Sequence, residues 1–222
     1  AQVGGNLPRA VAIAIAGPVT GDIIKFTNNP WIIRPALVRE KLHVDDYVLV
    51  NDFEAVGHAV AQAEDAHFVH LCGPDMPLPE SGTISVVGPG TGLGVAHVWR
   101  GGGGYHVVAT EGGHVDFAPL DGIEDAILAR LRKRYRRVSA ERVVSGPGLV
   151  EIYQALAAIE GRAVQQHDDK TLWGLGMSGE DSLAAAALDR FCLSLGSVAG
   201  DIALAQGGQG VVIAGGLGLR IK

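Results

Sequence analysis

Thr83-Ile-Ser-Val-Val87, Gly88-Pro-Gly-Thr-Gly-Leu-Gly94, Val95-Ala-His-Val-Trp-Arg100, Gly101–Gly104 and Tyr105-His-Val-Val-Ala109 form the stretch that decides the fold. Three runs rich in β-branched and aromatic residues are separated by two glycine turns, which predicts a meander of three strands. The first glycine run lies between two strands, whereas a P-loop or a dinucleotide fingerprint lies between a strand and a helix. Its spacing satisfies G-x-G-x-x-G in no register, and no Lys-Ser/Thr pair follows. Both of those readings are excluded. What remains is a hairpin loop whose glycines let backbone N–H groups close around an anion, with Thr91 adding a hydroxyl. A plain glycine turn has the same sequence.

Upstream, Val11–Gly17 is a short apolar run closed by Gly-Pro and reads as a buried strand, with Ile23–Phe26 as the returning strand. Pro35–Leu42 has helical spacing. Tyr47–Val50 reads as a second buried strand ending at Asn51-Asp52, and Phe53–Ala63 as a helix. The Pro- and Gly-rich segment Leu71–Ser81 reads as a crossing between lobes. Downstream, Asp121 is placed to cap a helix over Ile123–Arg136, and Pro147 suits the first turn of a helix running to Gly161. Gln165–Gly174 reads as a surface loop. Ser178-x-x-Asp181 resembles a variant capping box for a long Ala-rich helix ending near Gln206, and Val211–Ala214 is a last buried strand before Gly215-Gly216.

The totals fit an α/β enzyme. Of 222 residues 47% are hydrophobic and 19% charged, with 32 glycines for tight turns, a profile unlike that of a disordered chain. A net charge of −6 argues against nucleic acid or an anionic membrane as partner, but not against a small anion bound by amides. The basic cluster Arg130, Arg132, Lys133, Arg134, Arg136 and Arg137 wraps most of its predicted helix, with only Tyr135 interleaved. It reads as a solvated face or an oligomer contact; a nucleic-acid role would demand salt-sensitive binding. Cys72 and Cys192 form neither a disulfide framework nor a metal pattern. The N-terminus has no signal-peptide pattern, and the apolar runs Ala10–Ala16 and Leu183–Leu188 are shorter than a membrane span, so a cytoplasmic protein is expected.

Three small constellations carry candidate chemistry. Asp52, at the end of a strand, can orient an alcohol and accept its proton during phosphoryl transfer; on position alone, capping the following helix is the better reading. Glu111-Gly-Gly-His114 offers an acceptor and a switchable donor three residues apart, the pairing that sugar hydroxyls need. Metal ligation by Glu-x-x-His belongs on a helix, which Gly112-Gly113 disfavour, and a turn with a structural histidine is the plain alternative. Glu141, by position alone, is a first-turn helix glutamate.

The order of these features is more specific than any one of them. Ala14–Asp22, Thr27-Asn28, Trp31, Val50-Asn-Asp-Phe-Glu54, Gly88–Ala96, Glu111-Gly-Gly-His-Val-Asp-Phe-Ala-Pro119, Ser139-Ala-Glu-Arg-Val143, Ser145-Gly-Pro-Gly-Leu149 and Ile213–Gly216 together resemble the bacterial glucokinase family. That family is a branch of the hexokinase–actin–Hsp70 superfamily. The resemblance implies an α/β fold of two RNase H-like (actin-like ATPase) lobes with a cleft between them. Residues 1–63 would form part of the small lobe and 64–222 the large lobe. It implies phosphorylation of glucose at the 6-hydroxyl by ATP. Asp52 would be the base, and Asn51, Glu111, His114, Glu141 and Asn28 would be sugar contacts. Gly90, Thr91 and Gly92 would face the ATP phosphates, Gly215 and Gly216 the adenosine. Mg²⁺ would arrive with the nucleotide, without a protein cage of its own, and the enzyme would be a homodimer. No cysteine lies between Cys72 and Cys192, which disfavours the zinc-bearing repressor–kinase branch. The family's opening Asp-x-Gly-Gly-Thr loop has no counterpart here, Val3-Gly4-Gly5-Asn6 lacking both Asp and Thr. The expectation is therefore a chain short at both ends, with an incomplete small lobe and the ATP half of the site unfinished. A sugar-binding or regulatory protein on the same fold, without catalysis, is the alternative.

Overall fold

The structure is a computed structural model and describes residues 8–26 and 30–220. Asn28 and the Val3–Asn6 segment lie outside the described residues.

Strand β1 (Ala10–Ile15) pairs in parallel with β4 (Asp46–Asn51), in a register that sets Ile15 opposite Asn51. Between them come a short antiparallel pair, β2 (Ile24–Lys25) with β3 (Ile32–Ile33), and helix α1 (Pro35–Leu42). Helix α1 has the predicted bounds, with Pro at its first turn, where a missing N–H costs nothing. Two readings are corrected here. The returning strand pairs with β3 and not with β1. Neither β1 nor β4 is a buried strand: in residues 8–50 the buried apolar side chains are Ile15, Ile24, Val38 and Val44, while Val48 is 51% exposed. A parallel pair needs cover on both faces to be buried, and the described residues place no third strand beside this one.

The main sheet has the order β7-β6-β5-β8. The predicted meander supplies β5 (Gly82–Pro89), β6 (Leu93–Gly101) and β7 (Gly104–Thr110), all antiparallel, and β8 (Gly208–Ile213) joins β5 in parallel. Side-chain alternation splits the sheet into two packing faces. Ile84, Val86, Ala96 and Val98 face helix α2 (Asp52–Gln62), with Phe53, Val56 and Val60 packed against them. Val87 and Val95 face a larger helical layer. That layer comprises α3 (Gly122–Arg132), α4 (Gly146–Ile159), α5 (Asp169–Ser178) and α6 (Ser182–Gln206). A single turn, α7 (Gly215–Gly218), follows β8.

The helical layer brings further corrections. The segment read as a loop over Gln165–Gly174 contains the start of α5. Leu172 and Trp173 are buried there, Trp173 meeting Phe191 edge to face, so tertiary packing overrides its polar composition. Ser178 ends α5 and takes no part in a capping box; Asp181 itself caps α6, accepting from the amides of Leu183 and Ala184. Helix α3 stops at Arg132, four residues short of the prediction, where Arg134 turns to pair with Glu151. Arg130 likewise donates to Gln154, Arg137 pairs with Asp116, and Arg134 and Arg142 lie over the Tyr135 ring. Much of the basic cluster is thus spent within the chain. Helix α6, with 25 residues, is long and apolar enough to span a bilayer. It buries ten residues in the core, however, which is the behaviour of a core helix.

One polar cluster is sealed inside this layer. Glu124, at 0% exposure, accepts from the Ser194 hydroxyl at 2.7 Å and the Leu120 amide at 2.7 Å, with the Arg190 guanidinium 3.7 Å away. Arg190 also pairs with the cap residue Asp121; the Glu124 amide, and after it Arg190, hold the Asp121 carboxyl below its usual value. Removing one partner from such a cluster leaves the others desolvated and unpaired. Glu124→Ala is expected to lower the unfolding free energy by about 3 kcal/mol, and Ser194→Ala by about 1 kcal/mol, both read from urea unfolding curves.

Candidate functional site

The site is built around the first residues of β6. Asn51 ends β4 and caps α2, its side-chain Oδ1 accepting from the amides of Phe53 (2.8 Å) and Glu54 (3.2 Å). Glu54 returns the contact to the Asn51 amide at 3.3 Å, completing a capping box. The Asn51 side-chain amide donates to the Gly17 carbonyl at the end of β1. Position alone favours Asp52 as the cap of this helix; the structure corrects that, because Asn51 takes the capping duty. Asp52 becomes the first residue of the helix, exposed, with one carboxylate oxygen accepting from the Phe53 amide at 2.9 Å.

The glycine hairpin joins β5 to β6, with Gly88 opposite Gly94 and Pro89 opposite Leu93. Its glycines do different work. A Cβ on Gly88 would sit 2.5 Å from the Phe53 ring, and one on Gly94 would overlap the same ring. These two are bare so that Phe53 can lie on the rung. A Cβ on Gly92 would sit 2.5 Å from a Glu141 carboxylate oxygen. Gly90, in contrast, has no atom within contact distance of its missing Cβ, and Thr91 is exposed. The tip is folded by a bond from the Gly90 amide to the Gly92 carbonyl, and the first amide of α4, on Gly146, donates to the Gly90 carbonyl. The Thr91 amide and hydroxyl and the Gly92 amide have no hydrogen-bond partner among the described residues. Freed amides beside a hydroxyl are the donor set that an anion uses.

Glu111 follows β7, and Gly112–His114 make a single 3-10 turn. His114 Nε2 lies 3.6 Å from a Glu111 carboxylate oxygen, with the two side chains 54% and 80% exposed. The turn rests on β6, because Gly113 is packed against the Leu93 carbonyl and Gly112 against Val95. Glu141 sits in a second 3-10 turn, Ala140–Arg142. It is half-buried, and its carboxylate accepts from the Leu93 amide at 3.0 Å. It is therefore not the solvated first-turn glutamate that its position in the sequence allows.

Residues 92–95 thus touch Glu141, the Glu111–His114 turn and the ring next to Asp52. These candidates share no direct hydrogen bond with Asp52 among the described residues; the strand start is what gathers them. Gly215 adjoins the same hairpin, its φ of +80° a conformation open to glycine, with the Ala214 amide bonded to the Val87 carbonyl at 2.8 Å. Gly216 is exposed beside it. Phe53, Leu93 and Gly146 lie inside segments that carry the resemblance, but the sequence assigns none of them a role, since each acts through a backbone group or a ring whose contacts only the fold reveals. The shallow groove along Val19, Pro35, Arg39, Tyr47 and Val48, about 610 Å³, includes none of these residues.

The family model described as Glucokinase matches residues 1–222. The chain is 62% identical over 220 residues to a glucokinase of Zymomonas mobilis subsp. mobilis, covering 99% of this chain and 68% of that protein. It is 36% identical over 216 residues to a glucokinase of Saccharophagus degradans, covering 97% and 67%. A crystal structure of glucokinase from an Antarctic psychrotroph superposes with a TM-score of 0.84 at 32% identity, covering 99% of this chain and 68% of that one. The chain spans about two thirds of the length of each of these proteins, and its α/β architecture is that of the psychrotroph glucokinase.

The Glu141–Leu93 bond makes a prediction independent of any activity. Glu141→Ala removes the acceptor of a part-buried amide, a loss of about 1.4 kcal/mol. The Leu93 amide should then exchange with deuterium roughly tenfold faster, as measured by NMR or mass spectrometry.

Proposed function

The chain belongs to the glucokinase family, and from that premise we propose that it transfers the γ-phosphoryl group of ATP to the 6-hydroxyl of glucose. The observation that carries the assignment of the base is the division of labour at the start of α2. Asn51 caps the helix, which leaves the Asp52 carboxylate exposed, fixed by one oxygen on the Phe53 amide and with the other free of protein partners among the described residues. In the reaction the glucose 6-oxygen bonds to the γ-phosphorus, the bond to ADP breaks, and the hydroxyl proton passes to Asp52. The transition state is loose, so holding the hydroxyl in line matters more than the strength of the base.

Glu111, His114 and Glu141 would bind the sugar, with Asn51 and Asn28 as neighbouring contacts. The Asn51 Oδ1 is already committed to two amides, so its part in sugar binding would be as a donor. Gly90, Thr91 and Gly92 would receive the phosphates on the unpaired donors of the tip, and Gly215 and Gly216 would lie against the adenosine. Mg²⁺, carried on the β- and γ-phosphates, would neutralise charge that builds there. We further propose a cytoplasmic homodimer that feeds glucose into glycolysis; support for this comes from the family resemblance.

In the full-length enzyme, Asp52→Asn keeps the shape of the side chain and loses the proton acceptor. It should lower kcat by about 10³-fold, with the glucose Kd within about threefold of the unmodified enzyme. A coupled assay beside a fluorescence titration checks both, and an Asp52→Asn enzyme with undiminished turnover would overturn the assignment.

A further inference from the structure

We propose that Phe53 is a positioning residue that ties the Asp52 carboxylate to the phosphate-facing hairpin, so that base and phosphoryl donor are set by one side chain. The inference rests on the reading of Asp52 and the hairpin given above and assigns to its neighbour a part in the reaction.

Phe53 is held at both ends. Its amide donates to the Asp52 carboxylate at 2.9 Å and to the Asn51 side chain at 2.8 Å, so the backbone of Phe53 is the point on which the carboxylate leans. Its ring lies where the side chains of Gly88 and Gly94 would be, across one rung of the β5–β6 hairpin. On the face of the sheet turned to α2 the side chains shrink along β6, from Val98 to Ala96 to Gly94, and along β5 from Val86 to Gly88. The bare end of that gradient is filled by the ring, which belongs to the same core as Val56 and Val60. From this rung the hairpin runs only two residues to Gly90 and two to Gly92, the tip that carries the unpaired donors. A shift of the ring therefore moves two things together: the backbone on which Asp52 is oriented and the base of the loop that faces the phosphates. None of the three sugar-facing candidates Glu111, His114 and Glu141 depends on the ring for its contacts: the turn that joins Glu111 to His114 rests on Leu93 and Val95, those two side chains lie 3.6 Å apart as a pair, and Glu141 accepts from the Leu93 amide.

That separation gives the test. In the full-length enzyme, Phe53→Leu retains most of the apolar volume but not the flat surface that two facing glycines accept. Single-turnover phosphoryl transfer, glucose Kd and thermal midpoint are measured for Phe53→Leu, Gly94→Ala, the double variant and, in parallel, Asp52→Asn. Positioning predicts at least a tenfold slower transfer in Phe53→Leu, with the glucose Kd within twofold. Gly94→Ala, whose Cβ overlaps the ring, should be slowed as well. The double variant should transfer at least threefold faster than the product of the two single effects, because the smaller side chain makes room for the added methyl group. A Phe53→Leu enzyme that transfers at an unaltered rate while its thermal midpoint falls would show ordinary packing and overturn the proposal. The Asp52→Asn arm separates the two layers of inference. If it is inert, the base reading stands whatever Phe53 does; if it is fully active, the base reading fails, and the Phe53 proposal with it.

Discussion

The Gly88–Gly94 rung and the strand start beside it are the constraint on which the site depends. An ordinary side chain at either glycine would need the volume that the Phe53 ring fills. Without that seat, α2 would stand off the sheet and carry Asp52 with it. One residue farther along, the Leu93 amide is held by Glu141 and the Leu93 carbonyl lies against Gly113. Three segments far apart in sequence therefore meet on four consecutive residues, 92–95, where the hairpin enters β6. This is a backbone-centred arrangement: its specificity lies in where side chains are missing and in which main-chain groups are left for others to use.

The energetic weight falls unevenly across the chain. The helical layer on one face of the main sheet buries a continuous core from Val87 to Leu217, with a fully satisfied buried carboxylate, Glu124, locking α3 to α6. The opposite face carries a smaller core, with Ile84, Val86, Ala96 and Val98 buried under Val60 of α2 and Val107 and Val212 partly buried beside them. The β1–β4 pair contributes little buried surface of its own, and it is joined to the site by the parallel register that ends at Ile15–Asn51 and by the bond from Asn51 to Gly17. A rigid platform thus bears the hairpin and the two 3-10 turns, while β4, which leads into the candidate base, is the more lightly anchored. Such a distribution suits a site whose parts must be set accurately on one side and remain able to adjust on the other.

Much of this was legible in the sequence, for physical reasons that differ by element. The meander could be read because β-branched runs punctuated by glycine have few other solutions, and α1 because Pro35 fixes its first turn. The α5 segment could not, since its helix is made worthwhile by Trp173 packing on Phe191, a contact some twenty residues away in sequence. The strands β1 and β4 were misread as buried because an apolar run reports affinity for cover and not whether cover is present. At the site, Asp52, Glu111 and His114 were visible as residue types suited to alcohol and proton chemistry. The glycines of the hairpin were visible too, but their purposes were not: only the structure separates the two that admit a ring, the one that admits Glu141 and the one left open at the tip. Phe53 was hidden because its role is defined by the absence of side chains elsewhere.

The central claim is that the start of β6 brings the carboxylate of Asp52 and the tip of the glycine hairpin to the same reacting atoms. A crystal structure of the full-length protein with glucose and a non-hydrolysable ATP analogue tests it most directly. The account predicts the glucose 6-oxygen within hydrogen-bond reach of Asp52, about 2.6–3.2 Å, with the terminal phosphate on the Thr91 and Gly92 donors and the Phe53 ring still seated on Gly88 and Gly94. A glucose whose 6-hydroxyl faces away from Asp52, or phosphates bound away from the hairpin tip, would contradict it.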